Sequence, residues 1–274
     1  FGTVGWIISG IVISYIFGWD SIDAIASGKL NNTFKMVALA SLILGLFSFG
    51  LPKTPPFTNK QKSFTLRGVL GLEALKLLKD RNFFMFFVAS ILICIPLAFY
   101  YQQANPFLVE LGMSNATAKM SLGQVSEVLF MLLLPIFFLS FGFKNTILVG
   151  MIAWVIRYLL FAYGDVGDNT LMLIVGILLH GICYDFFFVS GQIYTDFKAG
   201  EKVKSAAQGL ITLATYGIGM LIGFWIAGKI SDAFIIEPGK HDWNMIWKFP
   251  AFFALIIFTL FFLIFKNEKI KYKN

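Results

Sequence analysis

Eight apolar runs dominate the sequence, at roughly residues 1–18, 34–51, 83–105, 118–139, 146–163, 170–195, 208–230 and 246–265. A hydrocarbon core about 30 Å thick takes about 20 residues of helix to cross, at about 1.5 Å per residue. Each run is about that long. They are apolar all round rather than alternating, which excludes the strands of a membrane barrel. Gly and Pro inside several runs fit membrane helices, where neighbouring groups satisfy the freed backbone. Only 14% of the residues are charged and 58% are hydrophobic, whereas soluble domains carry about 25% charged residues. An ordinary soluble enzyme, a disordered chain and a nucleic-acid-binding domain are excluded. The fold class expected is an all-α membrane protein with eight transmembrane helices.

The net charge of +7 belongs to the loops. Most Lys and Arg lie on one side: Lys53 to Arg81, Lys144, Lys198, Lys202, Lys204 and the tail from Lys266. The opposite loops hold Lys29, Lys35, Lys119, Lys240 and Lys248. The basic side reads as cytoplasmic, with both ends of the chain there. The one long connection, residues 52–82, starts with Pro52, Pro55 and Pro56. It continues into a basic amphipathic piece, Leu66 to Lys79, expected as a surface-lying helix joining two bundles. The expected division is therefore 1–51, two helices of one bundle; 52–82, the cytoplasmic connection; and 83–274, six helices and a tail. A six-plus-six transporter lacking its first four helices has this pattern. Nothing before the first run resembles a signal peptide. Cys94 and Cys183 lie in apolar runs, so neither a disulfide nor a metal site is expected.

Charged groups within the spans carry most of the functional information, because the membrane centre penalises each by about 2.5–3.5 kcal/mol on insertion scales. Glu127, Arg157 and Asp185 lie at a common depth of about 15–18 Å from the cytoplasmic ends of their runs. They read as one buried polar cluster, or, for Arg157, as a salt bridge locking adjacent helices. Gln124 shares a helix face with Glu127, Gln102 with Asn105, and Gln192 with Asp185. Amides donate and accept at once, which suits a ligand rich in hydroxyls and ring nitrogens. The same amides also serve as glue between helices. Trp6, His180 and Tyr184 lie beside these polar positions, where a ring could stack on a planar base or merely pack. Gly217, Gly219 and Gly223 form a small-residue face for close helix contact.

Several motifs together resemble the nucleoside:proton symporter family of the major facilitator superfamily. They are Phe1-Gly2-Thr3-Val4-Gly5-Trp6, Leu51-Pro52-Lys53-Thr54-Pro55-Pro56, Tyr101-Gln102-Gln103-Ala104-Asn105-Pro106, Leu122-Gly123-Gln124-Val125-Ser126-Glu127, Ala153-Trp154-Val155-Ile156-Arg157-Tyr158 and Cys183-Tyr184-Asp185-Phe186-Phe187-Phe188. The resemblance implies helices five to twelve of a twelve-helix fold, with the substrate between two six-helix halves. It also implies a substrate-binding set of Thr3, Trp6, Gln102, Asn105, Gln124, Glu127, His180, Tyr184 and Asp185. His180 and Tyr184 stand where the best-known permease of that family is expected to have tyrosine and phenylalanine.

The function expected is import of nucleosides with protons by alternating access, with Glu127, Asp185 and Arg157 coupling the proton. A symporter of sugars or other small polar metabolites is the alternative, and a membrane receptor or scaffold a remote one. Enzymatic activity is not expected, since the two histidines, His180 and His241, lie on separate segments without a paired nucleophile or ligand set. The remaining expectations are a monomer in the bacterial inner membrane, the bilayer and a nucleoside as partners, no nucleic acid, no metal, and no cofactor beyond the coupling proton.

Overall fold

The computed structural model describes residues 2–54 and 71–268. Its first helix, α1, spans Gly2–Ile11 and runs on through a π turn, Val12–Ile16. A short helix α2, Ile22–Ala26, leads to α3, Asn32–Ser48. After a 3-10 turn at Leu72–Lys79 come α4, Arg81–Glu110, and α5, Ala116–Tyr163. Then follow α6, Thr170–Leu178, and α7, His180–Tyr184, which continues through a π turn, Asp185–Val189, into α8, Ser190–Thr212. Another π turn, Leu213–Gly219, opens α9, Met220–Ala233. A two-stranded hairpin, Ile235–Glu237 and Lys240–His241, precedes α10, Trp243–Ile264.

Two helical stretches are too long for a single crossing. Ala116–Tyr163 has 48 residues and Thr170–Ala233 has 64, or about 70 and 95 Å at about 1.5 Å per residue. Each is broken by one glycine in the left-handed region, Gly142 (φ 72°) and Gly200 (φ 62°), a backbone conformation open to glycine at little cost. The chain folds back at both. Gln208 Nε2 donates to the carbonyl of Gln192 and to Asp196 Oδ1, across the Gly200 bend, at 2.8 and 2.7 Å. Counting each bent stretch as two arms, the described residues form eight helical rods, at the positions of the eight apolar runs.

The segment Leu72–Lys79 is a 3-10 turn after Gly71 (φ 64°) rather than a regular amphipathic α-helix. The remainder of that expected helix, 66–70, lies outside the described residues, as do Pro55 and Pro56 of the connection. Close packing of α9 on α4 uses two of the three expected glycines. A Cβ at Gly219 would lie 2.7 Å from Cys94 Cβ, and one at Gly223 would lie 2.7 Å from Ala98 Cβ. Gly217 meets only Leu213 of its own turn.

The core is aromatic. Phe107, Tyr158, Phe161, Trp243 and Trp247 pack together where α4, the second arm of α5 and α10 meet. Tyr158 also donates its hydroxyl to the Pro96 carbonyl of α4. By contrast α3 has no buried residue. α1 lies against the first arm of α5, so closely that a Cβ at Gly10 would strike Ser121 Oγ.

Candidate substrate and proton site

Glu127, on the first arm of α5, accepts a hydrogen bond from Thr3 Oγ1 of α1 at 2.9 Å. Its other oxygen faces His180 Nε2 at 3.7 Å. On the far side of that imidazole, Arg157 NH1 from the second arm of α5 lies 3.1 Å from His180 Nδ1. The guanidinium carbon of Arg157 stands 3.5 Å above the ring centre of Tyr100 from α4, a cation–π contact. Tyr100 in turn stacks on His180, with centroids 5.3 Å apart. Four rods thus contribute to one polar line, Thr3–Glu127–His180–Arg157. Arg157 is wholly buried and His180 nearly so.

Small residues let α7 come this close. A Cβ at Gly123 would lie 3.1 Å from His180 Cβ, and one at Gly181 would lie 2.5 Å from the Ser126 carbonyl. Ser126 donates its hydroxyl to the Leu178 carbonyl just before α7.

Asp185 is fully buried at the start of the π turn after α7, and neither of its oxygens has a partner. The Oε1 of Gln124 is likewise buried and free. π turns displace side chains from regular helical register and recur at functional sites. Here two of them approach: the Tyr184 hydroxyl, beside one, meets the Tyr216 hydroxyl, within the other, at 2.8 Å.

The expected residues divide on inspection. Thr3, Glu127, Arg157 and His180 form the line, with Tyr184 packed on the His180 ring at 5.8 Å. Asp185 follows Tyr184 directly, and Gln124 lies one turn from Glu127. Arg157 touches neither carboxylate and reaches Glu127 only through the imidazole. Asn105 donates to Thr117 Oγ1 at 3.2 Å and so ties α4 to α5. Gln102 and Trp6 are exposed and enter no hydrogen bond among the described residues. Tyr100 and Tyr216 belong to the site without having been singled out. Tyr100 could have been found as the residue two positions before Gln102, but nothing in its spacing marks it as a platform for a guanidinium.

Two further polar groupings join rods at the ends of the bundle. Asp20 Oδ2, beyond α1, accepts from Ser14 Oγ at 2.6 Å and from the Thr117 backbone N–H at 3.2 Å. Ser14 Oγ accepts from the Ala118 N–H at 2.9 Å. The N-terminus of α5, whose own Asn115 provides no side-chain cap, is thereby capped from α1. At the basic end, Lys198 bridges Asp80 at 3.1 Å and Glu268 at 2.9 Å. A cleft of about 560 Å³ near that end is lined by Gln192, Asp196, Lys204, Ser205 and Gln208. It does not include the central acids.

The model of the nucleoside H+ symporter family matches residues 1–270. The chain is 42% identical to YegT of Escherichia coli (strain K12) over 277 residues, covering 97% of this chain and 64% of that protein. It is 28% identical to the nucleoside permease NupG of the same organism, covering 98% of this chain and 65% of the relative. The crystal structure of a mutant of the nucleoside transporter NupG superposes with a TM-score of 0.83 at 28% identity, over 97% of this chain and 66% of that one. The chain therefore spans just under two thirds of the length of these relatives. The fold is that of a multi-pass, mostly helical transporter of the major facilitator superfamily.

Proposed function

The chain belongs to the nucleoside H+ symporter family, and from that premise we propose that it forms the larger part of a proton-coupled importer of nucleosides. Residues 1–51 act as two helices of one half, 52–82 as the cytoplasmic connection and 83–274 as the other half. Both ends face the cytoplasm across a bacterial inner membrane. The protein works as a monomer, with the proton as its one coupling ion.

The observation that carries the reading is the buried line from Thr3 to Arg157, with the unpartnered Asp185 beside it. The line crosses between α1 and the following bundle, at the seam where two rocking halves would enclose a substrate. Glu127 accepts from Thr3 on one oxygen and turns the other towards the His180 ring, and so offers an acceptor for ribose hydroxyls. Gln124, with a free buried oxygen, supplies a second acceptor. Tyr184 and Tyr216 offer flat rings and hydroxyls for a base.

Of the two carboxylates expected to couple the proton, Asp185 fits the role better. A bare carboxylate without partners is costly in so buried a place. Asp185 therefore takes a proton when enclosed and gives it up when rocking opens it to water. Arg157 acts on Glu127, keeping the two acids in different roles.

The test is uptake by the full-length protein in proteoliposomes under an imposed inward proton gradient, with labelled uridine, adenosine and several sugars. Gradient-driven accumulation of a nucleoside, abolished by an uncoupler, is the expected result. Accumulation of a sugar but no nucleoside would instead support the alternative of a symporter for other polar metabolites.

A further inference from the structure

His180 is the one ring that joins the positive and negative ends of the central line, and its two nitrogens have unlike neighbours. Arg157 can only donate hydrogen bonds. Its NH1 at 3.1 Å from Nδ1 therefore requires a lone pair on that nitrogen. The single ring proton then belongs on Nε2, which faces Glu127 Oε2 at 3.7 Å. A second proton, on Nδ1, would set one N–H against another and add a positive charge beside the guanidinium. So the ring is fixed in one neutral tautomer by its neighbour, as the partner of one imidazole nitrogen commonly fixes the other.

We propose that His180 is a positioning residue that relays the charge of Arg157 to Glu127, and so keeps that carboxylate available as the acceptor for substrate hydroxyls while the coupling proton moves elsewhere. The ring itself carries no proton in transit. The proposal rests on the reading of the site as a nucleoside:proton symporter, and adds a role for a residue that the resemblance implied only as a substrate contact.

The surroundings fit a relay. Tyr100 of α4 stacks on the ring and also lies under the Arg157 guanidinium, so ring and cation are held by one platform. Tyr184 packs on the ring from its own helix. Glu127 accepts one hydrogen bond among the described residues, from Thr3. Tyr101 and Asp185 lie within electrostatic reach of it, and neither is hydrogen-bonded to it. Without the imidazole N–H, Glu127 would face only the Thr3 hydroxyl. The gap of 3.7 Å is slightly beyond hydrogen-bond length, as such contacts often are before substrate tightens a site.

The experiment is nucleoside binding to the full-length protein at equal pH on both sides, compared for the wild type, His180→Phe and His180→Gln. Gln keeps one acceptor and one donor, whereas Phe keeps the ring and neither. In His180→Phe affinity should fall by about tenfold, because no N–H faces Glu127. His180→Gln should restore most of the wild-type affinity. Unchanged affinity in His180→Phe, or a loss that His180→Gln does not restore, would overturn the relay. Absence of nucleoside binding in the wild type would overturn the symporter reading instead. If His180→Phe does not fold, 15N NMR of histidine-labelled wild-type protein decides: the relay requires a bare Nδ1 and a protonated Nε2. A proton on Nδ1 would overturn it.

Discussion

Glu127 and Arg157 stand equally far in sequence on either side of Gly142, and both reach the His180 ring from opposite sides. The bend at Gly142 (φ 72°) folds the two arms of α5 antiparallel. Residues equidistant from the bend therefore come to the same depth. One glycine thus brings an acid and a base from distant parts of the chain to one imidazole.

The amides differ in how they are engaged. Gln124 has a free buried oxygen, while Asn105 is engaged with Thr117. Gln124→Ala is expected to weaken nucleoside binding by roughly 5- to 150-fold, the equivalent of about 1–3 kcal/mol. Asn105→Ala should leave affinity nearly unchanged and lower stability by about 0.6 kcal/mol, a typical polar contact between membrane helices. Calorimetric titration and thermal unfolding of both variants check this.

Asp20 caps the N-terminus of α5 from outside that helix. Losing such a cap costs about 0.5–2 kcal/mol, here at the seam between α1 and α5. Asp20→Ala should loosen that seam. Thiol labelling of a cysteine placed at Ala118 is expected to be faster in Asp20→Ala than in the otherwise unchanged protein. Equal rates would mean that the cap holds no closure.

A pH effect on stability follows at the basic end. Partial burial raises the Asp80 carboxyl, but the Phe83 N–H and Lys198 outweigh it and hold the group below its ordinary value. A carboxylate lowered on folding contributes stability above its unfolded value, and the contribution is lost as pH falls through the folded one. Asp80→Asn keeps a helix cap but removes the charge. Its melting temperature should lie below that of the wild type at neutral pH, and the gap should close at a pH below the ordinary carboxyl range. An equal gap at both pH values would show that Lys198 does not act through the Asp80 charge.

Much of the fold was legible because the membrane imposes one length and one polarity on every rod. The eight runs, and the common depth of Glu127, Arg157 and Asp185, follow from counting residues. The bends are harder to read. Gly142 and Gly200 look like any other glycine among the 25. The particular partners were not legible either. Arg157 was expected on a carboxylate and instead meets a histidine and the face of Tyr100, because spacing fixes depth but not rotation about the helix axis. Asp20 reaches Thr117 across 97 residues, and no local pattern records such a contact. Asn105 and Gln124 carry the same type of group at similar positions on their helices. Only packing shows that one is engaged and the other free.

Proton coupling as proposed turns on Asp185, the residue that loads and releases the proton. Asn at this position imitates the protonated acid and cannot release it. Asp185→Asn in the full-length protein, reconstituted in proteoliposomes, should exchange labelled for unlabelled nucleoside at equal pH on both sides. Under an imposed proton gradient it should fail to accumulate nucleoside. Accumulation at the wild-type level under that gradient would contradict the account.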